Sequence, residues 1–575
     1  MAAKLLGERS LCCLLATGLI LTNPFANTPA NQRRTQSSTK TESFDSLDDI
    51  LSYISADWNR LSRSLDKCAS YADAKVEDAP LLILPAGVEI PADLSGVRRK
   101  CSVQIDRLPA KLDLSGPAPE VPAHGLLYLP HPYVVPGGQF NEMYGWDSYF
   151  IIRGLLRDNR EALARGMVEN FFFEMDHYGG ILNANRTYYL GRSQPPFLTS
   201  MILAVYEAAK PSGNADLAWL RKAYRYAVAD YAQWTHPPHL AGATGLSRYY
   251  DEGDGPVPEI MGDPSNYYRG VARYFLLHEG ESSPHLVRVD AEHPASSLLG
   301  PVFPVLPCSS SAEKADRDCK PEDRVGLAAE YYKGDRAMRE SGFDVTFRFG
   351  PFGVNTHHFA PVCLNSLLYK TEMDLAGMSL LLGQPQVAAE WKEKARERHE
   401  RIDKYLWNPG KGQFFDFDFV TQKQSDYEYA TTFYPLWAGF ASKDQARALE
   451  GNLARFEQPG GLAMSRFESQ AQWDFPYGWA PIHLLALEGL RRYGYAIDAD
   501  RLTREFLTMV LENFRRDHTI REKYNVVRRT SSFRIGVGYA QNVIGFGWTN
   551  AAFLELLHEA PPAIRAQVRD DARTP

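Results

Sequence analysis

From about residue 145 onward, apolar positions recur at intervals of three and four, the spacing that lines one face of an α-helix. The pattern predicts helices over 148–157, 160–178, 196–209, 217–236, 365–382, 388–406, 443–456, 480–495 and 500–516. Leu217, Tyr224, Val228 and Tyr231 form one such stripe. A further helix is predicted over 46–62, with Ser46 as its N-cap. Strand-like alternation is sparse and short, and Gly, Pro and polar aromatic residues collect in the connections. No short repeat period is visible, which argues against a solenoid. Many helices, few strands and motif-bearing loops favour an all-α toroid over a parallel-sheet enzyme.

Two regions read as peripheral to that body. Residues 44–125 carry one helix and a Pro-rich path over 82–122, and are expected to wrap the main body as an N-terminal extension. Residues 279–325 form a Pro- and Ser-rich insertion, expected as a surface excursion because long structureless loops inside a domain are uncommon. The main body is then 126–562, followed by a flexible tail over 563–575. At the N-terminus, Lys4 and Arg9 precede the apolar run 11–21, which is too short to span a bilayer, and small residues follow. This predicts a signal peptide over 1–30, a flexible mature N-terminus over 31–43, and an exported, secreted or periplasmic protein with no stable membrane insertion.

An oxidising compartment makes disulfides plausible. Cys308 and Cys319 flank a short polar loop, Cys68 with Cys101 is the second expected bridge, and Cys363 lies in an apolar helical run as a free buried thiol. The chain of 575 residues is 44% hydrophobic with a formal net charge of -7. That is ample for a large core, and its mild acidity argues against nucleic acid as a partner.

The candidate chemistry begins with two distant segments that share a Trp-Asp pair. One is Pro136-Gly-Gly-Gln-Phe-Asn-Glu-Met-Tyr-Gly-Trp-Asp-Ser-Tyr149, and the other is Gln472-Trp-Asp-Phe-Pro-Tyr-Gly-Trp479. Flat rings suit the faces of a pyranose, acidic and amide groups suit its hydroxyls, and glycines allow close approach. Further polar-aromatic segments are 183–196, 245–251, 340–348, 521–526 and 545–550.

In order and content these blocks resemble the trehalases, glycoside hydrolases built on an (α/α)6 barrel. The resemblance rests on 136–149, on Asn185–Pro196 with its Arg-Ser-Gln-Pro-Pro ending, and on the Glu-Ser-Gly-Phe-Asp run at 340–344. Gln472–Trp479, Glu522-Lys-Tyr524 and Gly545-Phe-Gly-Trp-Thr-Asn550 complete the set, which covers roughly 125–560. It implies an (α/α)6 toroid with minor β-hairpins in its loops, and inverting hydrolysis of an α-linked glucose disaccharide. Trehalose is the first expected substrate, with no cofactor and no metal, and the protein is expected to act as a monomer.

By position Asp344 is the expected general acid and Glu522 the expected general base. Gln139, Phe140, Trp146, Asp147, Asn185, Arg192, Gln194, Glu259, Arg348, Trp473 and Trp548 are the expected sugar contacts. The chain also departs from the family pattern. Gln139 and Val257 stand where it has Arg, Phe343 replaces a Trp, and Tyr477 takes the place of an Asn. Tyr539 or a neighbour replaces a Glu, and the lid before it is shortened. A Gln or Val cannot replace a guanidinium that binds two oxygens at once. Two alternatives therefore stay open: an inverting hydrolase for another α-glucoside, and a non-catalytic sugar-binding protein on the same barrel. His357-His358 and the pair His236 and His239 lack a third metal ligand at sensible spacing, so surface or core histidines are expected there. No phosphate-binding Gly-rich loop is present in the sequence.

Overall fold

The computed structural model describes residues 47–72, 80–89, 91, 94–109, 124–211, 213, 216–260, 264–278, 284–305, 324–538 and 542–571. Sixteen α-helices lie among these residues. They are α1 (Leu47–Leu61), α2 (Leu94–Cys101), α3 (Gly145–Arg157), α4 (Glu161–His177), α5 (Leu198–Ala209) and α6 (Leu217–Trp234). Next come α7 (Pro264–Leu277), α8 (Ala329–Glu340), α9 (Val362–Leu381), α10 (Pro385–Tyr405) and α11 (Tyr434–Ala438). The chain ends with α12 (Lys443–Gly451), α13 (Ala480–Arg492), α14 (Ala496–Asp517), α15 (Gly547–Glu559) and α16 (Pro562–Asp571).

Six helices close an inner ring. In order α3, α5, α9, α11, α13 and α15 each pack on the next, and α15 returns to α3. A helix covered on both sides has no polar face to offer, and these sequences follow suit. Eight consecutive residues of α13, Ala480 to Leu487, are buried, as are Gly145 to Ile152 of α3. The outer layer is amphipathic. Helix α4 lies against α3 and α5, α6 against α5 and α9, α10 against α9, and α14 against α13 and α15. Helix α12 starts at a capping box in which Ser442 and Gln445 each bond the other's backbone N–H.

The remaining outer position is filled from the N-terminus. Helix α1 packs on α14 and α15, its Trp58 is fully buried, and its Asp57 accepts a 2.8 Å hydrogen bond from Asn550 of α15. A Cβ on Gly154 would stand 2.9 Å from the Trp58 ring and 2.8 Å from Ala551, so α1, α3 and α15 meet there at a glycine. The expected (α/α)6 barrel is therefore present, and α1 is one of its helices rather than a wrapping strap.

The rest of the N-terminal extension is a parallel sheet in which 81–84 lies between 104–107 and 126–127. The expected Cys68–Cys101 disulfide ties it together, and Cys363 is a free buried thiol, as its apolar surroundings in the sequence implied. Cys308 and Cys319 lie outside the described residues. The insertion differs from expectation. Strands 286–288 and 302–304 flank 324–327 in an antiparallel sheet, and with α7 and α8 they enclose Tyr268, Phe275, Tyr331, Tyr332 and Val354. Phe303 of the insertion thus joins a hydrophobic cluster separate from that of the ring, built mainly by α7 and α8. Likewise 563–571, expected as a flexible tail, continue α16, whose Val568 is fully buried.

One buried group sets a pH response for the barrel floor. His483 of α13 donates from Nδ1 to the Trp479 carbonyl at 2.8 Å and accepts at Nε2 from the Leu462 N–H at 2.7 Å. A proton on Nε2 would face that N–H, and burial pushes the imidazole pKa down from 6.5 to about 4. The folded state then binds fewer protons than the unfolded chain between those values. The group's stabilisation is complete above about 6.5 and is lost as pH falls toward 4, by about 3 kcal/mol at most. Denaturant unfolding at a series of pH values should show this slope, and His483→Gln should flatten it. An unchanged slope in the variant would exclude His483 as its source.

Candidate active site

The helix starts and loops at one end of the ring surround a pocket of about 710 Å³, open space at its mouth included. Its floor is aromatic. Trp146, in the first turn of α3, has its ring centre 5.5 Å from Phe343, 5.9 Å from Trp473 and 5.7 Å from Trp548. Trp473 stacks on Trp479 at 3.6 Å with the planes 4° apart. Gly342 is what lets the acid-bearing loop approach this cluster. Its φ is +75°, and a Cβ there would lie 2.9 Å from the Trp146 ring.

The two expected catalytic carboxyls both line this pocket, together with Asp147. Asp344 follows the C-terminus of α8, and its loop is pinned by Asp474, which accepts from Thr346 Oγ1 at 2.7 Å and from the Phe347 N–H at 2.9 Å. Glu522 precedes strand 523–525, which pairs antiparallel with 477–479 so that Lys523 faces Trp479. Lys523 is fully buried. Its Nζ stands 2.7 Å from Glu522 Oε2 and 2.9 Å from Gln472 Oε1, and the Gln472 amide donates to the Asp344 carbonyl at 2.5 Å. Gln472 therefore links the loop of one carboxyl to the cation beside the other. Burial draws the Lys523 pKa down, while the Glu522 charge opposes that shift.

Charge in the pocket is unevenly matched. Four lining residues are acids, Asp147, Glu259, Asp344 and Glu522, against the guanidiniums of Arg192 and Arg339. Arg192 is held by Asp251 at 2.6 Å and by Glu259. Arg339 Nε is 3.3 Å from Asp335 and Nη1 is 3.5 Å from Asp344. Burial alone would raise the Glu259 pKa, but Arg192 and Arg339 overcome it and hold the carboxyl at about 2. Among the described residues no cation pairs with Asp147. Burial raises its pKa well above the carboxylate range, and the charges of Glu522 and Asp344 add to the effect. One lining acid, Asp147, is thus pushed toward its protonated form while another, Glu259, is held ionised by its guanidiniums.

Of the expected sugar contacts, Gln139, Phe140, Trp146, Asp147, Arg192, Gln194, Glu259, Trp473 and Trp548 line the pocket. Asn185 and Arg348 do not. Asn185 accepts from the Met143 N–H and donates to the Leu127 carbonyl, both at 2.8 Å, so it braces the loop behind α3. Arg348 is fully buried in a two-pronged pair with Asp416, both bonds 2.6 Å, beneath Phe343 and Tyr429. Their motif positions placed them near the site, but their polar atoms are already taken by the fold. Tyr144, Asn183, Tyr189, Arg339, Trp479 and Phe546 line the pocket and were missed. Arg339 could have been found: it immediately precedes the Glu340 block, about one helical turn before Asp344. Among the departures, Val257 is buried against Tyr268, Tyr477 is buried, and Tyr539 lies outside the described residues.

A family model described as Trehalase matches residues 103–272 and 284–561. The cytosolic neutral trehalase of Saccharomyces cerevisiae is 39% identical over 455 residues, covering 74% of this chain. That of Kluyveromyces lactis is also 39% identical over 455 residues. The chain spans 56% of the length of either relative. The solved structure of neutral trehalase Nth1 from Saccharomyces cerevisiae superposes with a TM-score of 0.71 at 32% identity, covering 91% of this chain and 96% of that one.

These relatives correct one expectation. They are named cytosolic, as are those of Beauveria bassiana and Neurospora crassa, which runs against a signal peptide and export to periplasm or medium. The apolar run at 11–21 from which export was read lies outside the described residues. Among the described residues no helix is long and apolar enough to cross a membrane.

The close approach at Gly342 can be checked directly. Gly342→Ala places a side chain at positive φ and against the Trp146 ring, and is expected to cost about 1–3 kcal/mol in denaturant unfolding. Tryptophan fluorescence should shift with it. A variant as stable as the parent would mean that this loop can move away from the aromatic floor.

Proposed function

The chain belongs to the trehalase family, and from that premise we propose that it hydrolyses α,α-trehalose to two glucose molecules by an inverting acid/base mechanism. The observation that carries the proposal is the convergence of Asp344 and Glu522 on one aromatic-floored pocket from opposite walls of sequence. Asp344 gives its proton to the glycosidic oxygen as the C1–O bond breaks. Glu522 takes a proton from a water molecule, whose oxygen bonds to C1 on the face opposite the departing sugar. Inversion at that carbon follows. The two carboxyls carry both proton transfers, so the reaction needs no cofactor.

Other residues have supporting parts. Asp147, Gln194 and the Arg192–Glu259 pair meet sugar hydroxyls, and the Trp146, Trp473 and Trp548 rings meet the apolar faces of the pyranoses. Arg339, between Asp335 and Asp344, orients the acid, while Lys523, 2.7 Å from the Glu522 carboxyl, orients Glu522. The catalytic body is 126–562 together with α1, and it acts as a monomer. Gln139 lines the pocket where the family pattern has Arg, so a second reading is the same reaction on a different α-linked glucoside.

Incubation with trehalose, maltose, kojibiose and nigerose, followed by assay of released glucose, separates the two readings. Glucose from trehalose is expected. Turnover of another disaccharide in its place selects the second reading, and sugar binding without cleavage would contradict both. Asp344→Asn and Glu522→Gln should each lower kcat by at least about a thousandfold with the fold intact, since each removes one proton transfer and leaves packing unchanged. Substantial activity in either would overturn its assignment.

A further inference from the structure

Two neighbouring histidines, His357 and His358, found no third ligand in the sequence, but the fold supplies one from elsewhere. Glu330 lies in the first turn of α8, and the histidines lie in the 3-10 turn Thr356–His358. Nε2 of His357 stands 2.6 Å from Glu330 Oε1, and Nε2 of His358 stands 2.9 Å from the same oxygen. The donor atoms of all three side chains lie within 4.8 Å of one another. Their burial is graded: the His357 side chain is 5% exposed, His358 24% and Glu330 53%. The cluster thus has a fixed inner wall and a side open to solvent.

We propose that Glu330, His357 and His358 form a binding site for a divalent transition-metal ion of the zinc or cobalt type. Two imidazole nitrogens and one carboxylate are the ligand set such ions favour, with solvent filling the open positions. Bond lengths of about 2.0–2.1 Å to nitrogen and oxygen separate tetrahedral ligands by about 3.3 Å. From 2.6 and 2.9 Å, the present N–O separations need to open by about 0.7 and 0.4 Å. The ion replaces the two N–H···O bonds, and each ring proton moves to Nδ1. Among the described residues the buried His357 Nδ1 has no hydrogen-bond partner, so no donor is bound there to oppose that tautomer.

One neighbour works against the ion. Arg248 donates to the His357 carbonyl at 2.8 Å and brings a positive charge close by. The Glu330 charge is therefore required, and an uncharged amide in its place should fail. Residues 330 and 357 bracket the loop that carries Asp344, so an ion here would clip the two ends of that loop together.

The test uses the full chain after treatment with chelator and dialysis. Zn²⁺ is titrated by calorimetry, and Co²⁺ by the visible bands that mark tetrahedral nitrogen and oxygen ligation. One saturable equivalent is expected in each case. Glu330→Gln and His358→Ala, both at exposed or half-exposed positions, should each weaken binding at least about tenfold. His236→Ala, on an exposed histidine outside the cluster, should leave it unchanged. Absence of saturable binding, or equal affinity in Glu330→Gln and His358→Ala with folding intact by circular dichroism, would overturn the proposal.

Discussion

A fully buried ammonium group has to be matched by an anion or by acceptors, because an unmatched charge in the interior costs several kcal/mol. Lys523 finds both: the Glu522 carboxylate at 2.7 Å and the Gln472 amide oxygen at 2.9 Å. That requirement fixes Gln472, whose NH2 group then holds the Asp344 backbone. Three segments distant in sequence are tied through one cation, and both proposed catalytic carboxyls inherit their positions from it. The Trp479 ring lies 4.8 Å from the same ammonium and stacks on Trp473, so the aromatic floor is keyed to the same point.

The barrel makes this meeting possible. An inner ring closes only if its last helix returns to its first, and α15 packs on α3 with α1 behind both. Trp146 and Trp548 sit in the first turns of those two helices and so come within 5.7 Å across the full length of the ring sequence. The polar groups of the site are braced mainly from behind. Glu340 accepts from the Tyr250 and Ser193 N–H groups, joining three of the loops around the pocket. Burying so many carboxyls near one another is costly, and the pairing of Glu259 with Arg192 and Arg339 offsets part of it.

The periodic helices were legible because burial of one face leaves a clear three-and-four pattern, and α4, α6, α10 and α14 all fall near their predicted bounds. What escaped has a physical reason in each case. Helix α3 begins at Gly145, within a Gly-Trp-Asp run that reads as a loop, because an inner-ring helix needs no polar face. Helices α7 and α8 went unseen because their partners are short strands of the insertion, whose alternation is only three or four residues long. The pocket followed the motif blocks closely. Asn185 and Arg348 failed as contacts since a motif gives neighbourhood and not direction, and both point their polar atoms into the fold. The export signal rests on Lys4 and Arg9, the short apolar run after them and the small residues that follow, and relatives named cytosolic speak against that reading.

The central claim is that Asp344 and Glu522 work as an inverting pair, and the anomeric form of freshly released glucose tests it most directly. Proton NMR of trehalose turnover, recorded before mutarotation mixes the products, should show α- and β-glucose released in equal amounts. The attacked sugar inverts to β, and the departing sugar keeps its α configuration. Release of α-glucose alone would mean retention at the attacked carbon and would contradict the account.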